Sequence, residues 1–287
     1  MNKIRFVITA VIAALLISCG TTSRVPITGR KQRLMVSDEQ VLSLSTQQYQ
    51  QYMQSAKAST NATNTAMVKR VGQKLANAVV TYLNANGLGA EVSNYQWEFN
   101  LVQNQEVNAF CMPGGKIVVY EGILPVTKDE ASLAIVLGHE IAHAVAKHSA
   151  ERISNEYKKE SGMQILGAIA SVSGVSSDWQ QLGSTVLGLG AEVWSSGFSR
   201  SQESEADHIG LIFAAMAGYD PQVAISFWQR MAQTGSGTAS IFSDHPSDEK
   251  RIKQITEWMP EALQYYKAAT GSTITNSNTP TFHFSTK

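Results

Sequence analysis

The sequence predicts a mainly helical α+β protein in which a small β-sheet lies among amphipathic helices. Apolar residues recur at helical spacing over much of the chain between residues 37 and 268. The alternating pattern that is typical of strands is concentrated in residues 95–120, and helix caps recur on either side of this segment. With 287 residues, the chain is long enough to bury one substantial core.

The helices are predicted from apolar periodicity and from the residues that start them. Ser37 with Gln40, and Thr127 with Glu130, match the capping box, in which two side chains bond to each other's backbone N–H groups. The predicted helices cover residues 37–56, 65–83, 128–148, 199–216, 248–258 and 260–268, and a further helix starts at Asp220-Pro221.

The strand signals lie between the second and third helices. Residues 95–102 alternate between apolar and polar side chains, which predicts a half-buried strand. Residues 108–112 and 116–120 flank Pro113-Gly114-Gly115, whose residue types favour a tight turn. This second pair of segments therefore predicts a β-hairpin.

The N-terminus predicts an export signal rather than part of the fold. Lys3 and Arg5 precede an apolar run that is shorter than the roughly 20 residues of a membrane span. The run ends in Leu-Ile-Ser-Cys-Gly at residues 16–20, which resembles the bacterial lipobox, where the signal is cut before a cysteine that becomes lipidated. We expect residues 1–18 to be the signal peptide, Cys19 to carry a membrane anchor of several acyl chains, and residues 19–36 to be a polar tether.

Composition excludes some classes of partner. The 23 basic and 23 acidic residues balance to zero formal charge, so neither a nucleic acid nor a polyanionic surface is expected as a partner. Only two cysteines are present, so lipidation of Cys19 leaves Cys111 without an internal disulfide partner.

Residues 163–193 and 269–287 contain few charged residues. Residues 163–193 never reach roughly 18 uninterrupted apolar residues, and we expect a helical hairpin that packs on the core or touches the lipid surface. Residues 269–287 are rich in Thr, Ser and Asn, which predicts a disordered tail.

The chemistry is concentrated in the motif His139-Glu140-Ile141-Ala142-His143. Residues four apart lie on one face of a helix, so the two imidazoles are placed to bind one zinc ion. Glu140 projects beside them, within reach of a water molecule at the metal. The pattern predicts metalloprotease chemistry, with Glu140 taking the proton of the attacking water and delivering it to the leaving amine.

A catalytic zinc site needs a third protein ligand and leaves one position for water. Glu203 and Asp207 are one helical turn apart, so one could bind zinc while the other accepts the free N–H of a ligand histidine. The residues alone leave Glu192 and Glu205 open as alternatives to this pair. His148, five residues after His143, is predicted to turn away from the zinc and to act as a charge at the helix C-terminus.

Four segments in this order resemble a known family. They are Asn108 to Val119, His139 to His143, Ser199 to Asp207, and Asp244-His245-Pro246. Together they are similar to the HtpX-like and type I CAAX prenyl protease family of zinc peptidases, over residues 37–268. Among its members the chain most resembles small periplasmic lipoproteins and quality-control proteases.

The resemblance implies a gluzincin-type fold, with a small sheet beside the active-site helix and one zinc ion per chain. It implies that Glu203 is the third ligand and that Asp207 is the partner of a ligand histidine. Asn108, Ala109 and Phe110 would form the edge strand of the cleft, to which an extended substrate adds through main-chain hydrogen bonds.

His245 and Arg251 are candidates for further roles near the zinc. In the family a similar His-Pro pair lies near the zinc, so His245 is a candidate to bind substrate or the transition-state oxygen, or to close over the metal as a latch. Arg251, one turn into the next helix, is a candidate either to orient the site carboxylates or to lie at the surface.

The function expected from these features is zinc-dependent endopeptidase activity on unfolded or misassembled envelope polypeptides. Because Gly20 rather than an aspartate follows Cys19, we expect attachment to the outer membrane on its periplasmic side, with exposure at the cell surface as the alternative. The alternative function is a chaperone-like or assembly-binding module that retains a latched, low-turnover protease fold.

Overall fold

The computed structural model describes residues 21–156, 158, 197–233 and 249–271. Among these residues the helices and strands are β1 (Thr21–Arg24), β2 (Lys31–Leu34), α1 (Asp38–Ser55), α2 (Ala62–Ala85), β3 (Glu98–Val102), β4 (Ala109–Met112), β5 (Lys116–Tyr120), α3 (Leu124–Thr127), α4 (Glu130–Val145), α5 (Arg200–Met216), α6 (Val223–Gln233) and α7 (Glu249–Thr270). Residues 148–156 form a further helical segment directly after α4. The prediction of a mainly helical protein with small sheets is confirmed.

A three-stranded sheet lies beside the helices, with the strand order β3-β5-β4. β3 pairs with β5 in parallel, and β4 pairs with β5 antiparallel through the predicted hairpin. The turn needs Gly114 and Gly115, which have φ angles of 89° and 82° that side chains disfavour. In the order β3-β5-β4, β4 is an edge strand of this sheet.

The two faces of the sheet pack on different layers. One face joins the main core with α2 and α4, through side chains that include Leu101, Cys111 and Val119. The other face packs on α1 and the 148–156 segment, through side chains that include Phe110 and Val118. α4 is buried along nearly its whole length, so the predicted metal motif lies inside the molecule.

α4 and α5 approach each other through a pair of glycines. A Cβ atom added to Gly138 would lie 2.7 Å from the carbonyl oxygen of Gly210, and one added to Gly210 would lie 2.6 Å from the backbone nitrogen of His139. Real Cβ atoms do not come so close to backbone, so only glycine permits this crossing. The crossing is next to His139, and it sets how close α5 comes to the metal motif.

The N-terminal segment corrects one prediction. The sequence predicts a tether at residues 19–36, but β1 and β2 pair as an antiparallel hairpin from Thr21 to Leu34. Val25 at its turn is 1% exposed and belongs to the main core. The polar composition of this segment conceals the hairpin, because few apolar residues, among them Val25 and Leu34, attach it to the core and polar contacts supply the rest.

Two helix boundaries also differ from prediction. α4 begins after Asp129, whose side chain accepts from the backbone N–H of Ser132, because Lys128 has a φ of 66° that separates Thr127 from the helix. The two helices predicted at 248–268 are one helix, α7, which continues through Pro260. Proline removes one backbone hydrogen bond there, and burial of Ile255, Met259 and Ala262 on either side supports the helix.

Several predicted features lie outside the described residues: the signal at 1–18, Cys19, the hairpin at 163–193, Glu192, His245 and the tail beyond 271. Within the described part of the chain, no helix is both long enough and apolar enough to cross a bilayer.

We predict that Gly210→Ala lowers the free energy of unfolding by about 1–3 kcal/mol, because the new methyl group forces α4 and α5 apart. Helix propensity alone predicts the opposite sign, a gain of about 1 kcal/mol. Urea unfolding followed by circular dichroism distinguishes the two. A variant as stable as the wild type, or more stable, would contradict the close crossing.

Candidate metal centre

The structure brings His139, His143 and Glu203 together. The two histidines come from successive turns of α4, and Glu203 comes from the first turn of α5. The Nε2 atoms of His139 and His143 are 3.1 Å apart, and the carboxylate oxygens of Glu203 lie 3.5 Å and 3.4 Å from them. All three side chains are buried, and their ligand atoms lie within 4.8 Å of one another.

These distances fit a tetrahedral metal ion. A zinc ion with ligands at about 2.0–2.2 Å holds those ligands about 3.3–3.6 Å apart, close to the separations observed here. The donor set of two imidazoles and one carboxylate is also one that zinc uses in hydrolytic enzymes. Since imidazole lone pairs and a carboxylate repel one another, a cation between them accounts for their convergence.

The far side of the His139 ring is held by a buried ion pair. Nδ1 of His139 lies 2.8 Å from Oδ1 of Asp207, which fits donation of an N–H to the carboxylate and leaves Nε2 free to bind a metal. Arg251 donates two hydrogen bonds to Asp207, at 2.6 Å and 2.8 Å, and its guanidinium lies 3.7 Å from the ring centre of Trp228. Arg251 is only 4% exposed, so the alternative of a surface arginine is wrong.

The charges in this cluster favour a cation. Burial alone would raise the pKa of Asp207, but the charge of Arg251 and the hydrogen bond from His139 outweigh it, and the pKa lies below its ordinary value. Burial alone would lower the pKa of His139, but Asp207 and Glu203 outweigh it and raise that pKa to about 9. The protein groups alone therefore attract positive charge, whether a proton or a metal ion.

His148 holds the far side of the His143 ring, which corrects the prediction that it is a charge at the helix end. α4 ends at Val145, and Lys147 has a φ of 58°, so helical spacing does not extend to residue 148. His148 instead starts the next helical segment, is fully buried, and lies with its Nδ1 2.9 Å from Nδ1 of His143. Sequence spacing missed this contact because it depends on the break in the helix.

Phe198 covers the His143 ring from the other side. The two rings are stacked with centroids 4.0 Å apart and an interplanar angle of 21°. Phe198 directly precedes Ser199, the N-cap of α5, so the same cap that starts α5 positions this contact. The His143 ring is thus confined on both its edge and its face.

Glu140 lies between the two histidines on α4 and is 1% exposed. Its charge raises the pKa of Cys111 on β4, adding to the larger effect of burial. Cys111 is a free, buried thiol, and its raised pKa makes it a poor nucleophile.

Only part of the predicted substrate segment lies along the outer edge of β4, and that edge is buried, with Ala109 0% and Cys111 3% exposed. The backbone N–H of Tyr120 donates to the carbonyl of Asn108, and antiparallel pairing alternates, so the main-chain groups of Ala109 and Cys111 point away from β5. The side chain of Asn108 accepts from the Ala109 N–H at 2.8 Å. Phe110 is not brought there: its backbone pairs with Val118, and its ring packs in the core on the other face.

The sequence is also similar to known peptidases. The model of peptidase family M48 matches residues 62–259. The mitochondrial metalloendopeptidase OMA1 of Schizosaccharomyces pombe is 42% identical over 174 residues, which cover 60% of this chain and 49% of that protein. Human OMA1, also a mitochondrial metalloendopeptidase, is 31% identical over 250 residues, which cover 83% of this chain and 46% of that protein.

A bacterial relative is more distant. The beta-barrel assembly-enhancing protease of Escherichia coli is 29% identical over 163 residues, which cover 54% of this chain and 33% of that protein. The chain thus spans about half the length, or less, of these relatives.

We predict that Arg251→Met lowers the free energy of unfolding by about 3–5 kcal/mol, because it leaves the buried charge of Asp207 without its guanidinium partner. Thermal or urea unfolding measures the loss. Lys253→Met is the matched control, since Lys253 lies exposed on the same helix and should change stability little. Equal effects of the two substitutions would contradict the structural role of the ion pair.

Proposed function

The chain belongs to peptidase family M48, a family of zinc metallopeptidases, and on that premise we propose that it is an endopeptidase that hydrolyses unfolded or misassembled envelope proteins. The observation that carries the proposal is the convergence of His139, His143 and Glu203, with Glu140 between the two histidines. We assign the first three residues as zinc ligands and Glu140 as the general base.

The chain's own residues supply positioning and proton transfer. When bound, zinc supplies Lewis-acid polarisation of the scissile carbonyl and lowers the pKa of the attacking water. Glu140 accepts a proton from that water and passes it to the amine of the leaving group. Asp207 holds the His139 ring, so that Nε2 rather than Nδ1 faces the metal.

The edge of β4 supports binding of an extended substrate. The main-chain groups of Ala109 and Cys111 that point away from β5 would pair with a peptide as a further strand does, once the contacts that bury them open. Such pairing uses backbone groups that every peptide carries, so it imposes little sequence preference and suits unfolded polypeptides. Asn108, whose side chain occupies the Ala109 N–H, would turn aside as the peptide enters.

The lipobox supports a membrane anchor at Cys19. β1 begins at Thr21, two residues later, and a chain spans at most about 3.6 Å per residue, so the anchor would hold the folded domain within roughly 7 Å of the attachment point. We propose the periplasmic side of the outer membrane as its location. The HtpX-like grouping and the lipoprotein assignment rest on the sequence motifs.

We predict that Glu140→Gln lowers kcat/KM on an unfolded substrate such as casein by about 10²–10⁴-fold, because the proton-transfer group is lost. The mature chain should retain one zinc ion in this variant, since Glu140 is not assigned as a ligand. The measurements are a casein cleavage assay and metal analysis of the purified protein. Glu39→Gln, an exposed glutamate on α1, is the matched control.

Two outcomes would contradict the proposal. Cleavage by Glu140→Gln at the wild-type rate would remove the assigned base, and absence of zinc from the active wild type would remove the assigned metal. Full rescue of an envelope defect by Glu140→Gln would favour the chaperone-like alternative.

We also predict that zinc raises the Tm of chelator-treated protein. Free zinc at about a thousandfold above its Kd stabilises the folded state by about 4 kcal/mol, which raises the Tm by roughly 10 °C. Glu140→Gln should keep this shift, and Glu203→Gln should lose most of it, because Glu203 is assigned as a zinc ligand and Glu140 is not. Equal shifts in both variants would exclude Glu203 from the metal site.

A further inference from the structure

A hydrogen-bonded chain runs from His143 to the N-terminal hairpin. Nδ1 of His143 lies 2.9 Å from Nδ1 of His148, and Nε2 of His148 lies 3.0 Å from Oε2 of Glu205. Nε of Arg30, in the turn between β1 and β2, donates to the same oxygen of Glu205 at 2.8 Å. The hydroxyl of Thr28, in the same turn, donates to the other oxygen.

When both histidines are neutral, the donors and acceptors in this series of hydrogen bonds can be arranged in only one way. A carboxylate only accepts hydrogen bonds, so Nε2 of His148 must carry the proton that it shares with Glu205. Nδ1 of a neutral His148 then has a lone pair, and it must accept from Nδ1–H of His143. The lone pair of His143 is consequently on Nε2, the nitrogen that faces His139 and Glu203.

Arg30 fixes the start of this chain by joining two carboxylates. Its guanidinium nitrogens donate to both oxygens of Glu151, at 2.8 Å and 2.9 Å, while its Nε donates to Glu205. Glu151 belongs to the 148–156 segment, the same segment that carries His148. Arg30 therefore connects that segment to α5, which keeps His148 within hydrogen-bonding distance of Glu205.

Hydrogen bonds attach the hairpin that carries Arg30 to three other parts of the fold. The backbone N–H of Ile27 donates to the hydroxyl of Tyr82 at 2.8 Å, and the Gln32 amide donates to the carbonyl of Ala146 at 3.1 Å. The backbone N–H of Met35 donates to the hydroxyl of Ser154 at 2.8 Å. These contacts attach the hairpin to α2, to the end of α4 and to the segment that follows it.

We propose that Arg30 and Thr28 are positioning residues of the metal centre, which orient Glu205 and, through His148, hold His143 in the form that binds zinc. This inference rests on the proposed zinc site. It makes the stretch directly after the predicted lipidation site part of the support of that metal, although the stretch contains no ligand. His143 thereby has an outer support equivalent to the one that Asp207 and Arg251 give to His139.

The test separates zinc affinity from stability. The zinc Kd of the full mature chain is measured by competition with a chromophoric chelator, at a temperature where circular dichroism shows each variant to be folded. We expect Glu205→Gln and Arg30→Met to raise the Kd by about 10–100-fold, the usual effect of losing an outer partner of a ligand histidine. Arg30→Lys keeps the positive charge but loses the guanidinium donors that bind two carboxylates at once, so its zinc Kd should lie between those of the wild type and Arg30→Met.

Two controls lie on the same hairpin. Arg24→Met removes an exposed arginine that donates to the carbonyl of Gly29 and does not contact Glu205. Gln32→Ala removes one of the three contacts that attach the hairpin but leaves Arg30 bound to both carboxylates, so it should lower the Tm and leave the zinc Kd unchanged. A merely structural role for Arg30 predicts that Arg30→Met behaves like Gln32→Ala.

The outcomes are distinct. A zinc Kd within twofold of the wild type in both Arg30→Met and Glu205→Gln would overturn the inference and leave the proposed zinc peptidase intact. A wild-type chain that binds no zinc would overturn the proposed function and this inference with it.

Discussion

The convergence of two imidazole nitrogens and a carboxylate on one buried point is the constraint on which the rest of the molecule depends. Two Nε2 lone pairs 3.1 Å apart repel each other beside a carboxylate unless a proton or a metal ion lies between them, and burial prevents water from screening that repulsion. Each neighbouring feature serves this convergence. Asp207 and His148 hold the far edges of the rings, Phe198 covers one face, and α4 is enclosed by the sheet and by α5.

Such a site requires two helices to meet more closely than ordinary side chains allow. Gly138 and Gly210 permit this, and the contact falls beside His139, so the packing of the core and the geometry of the metal centre are set by the same crossing. Function and stability are therefore coupled here. A substitution that separates the helices acts on Glu203 and Asp207 together, because both lie on α5.

Features decided by neighbouring residues could be predicted from the sequence, and features decided by the tertiary fold could not. The capping box predicted at Ser37 is present, and α5 starts at Ser199 as predicted, because a cap is satisfied within one turn of its own helix. The capping box predicted at Thr127 is wrong, since Lys128 takes a left-handed conformation that ends one helix before the next begins. The role predicted for His148 is wrong for a related reason, because its contact with His143 depends on a break in the helix that helical periodicity does not reveal.

The acidic residues of α5 illustrate how one short segment serves three partners. Successive helical residues are about 100° apart, so Glu203 and Asp207 share a face while Glu205 points to the opposite side. That spacing made the pair at Glu203 and Asp207 plausible for the metal, and Glu205 indeed lies away from the ligand atoms. The opposite side is not solvent, however, because the 148–156 segment and the N-terminal hairpin pack there. Two arginines therefore support the metal centre from opposite sides of α5. Arg251 on α7 binds Asp207, the partner of His139, and Arg30 on the N-terminal hairpin binds Glu205, which reaches His143 through His148.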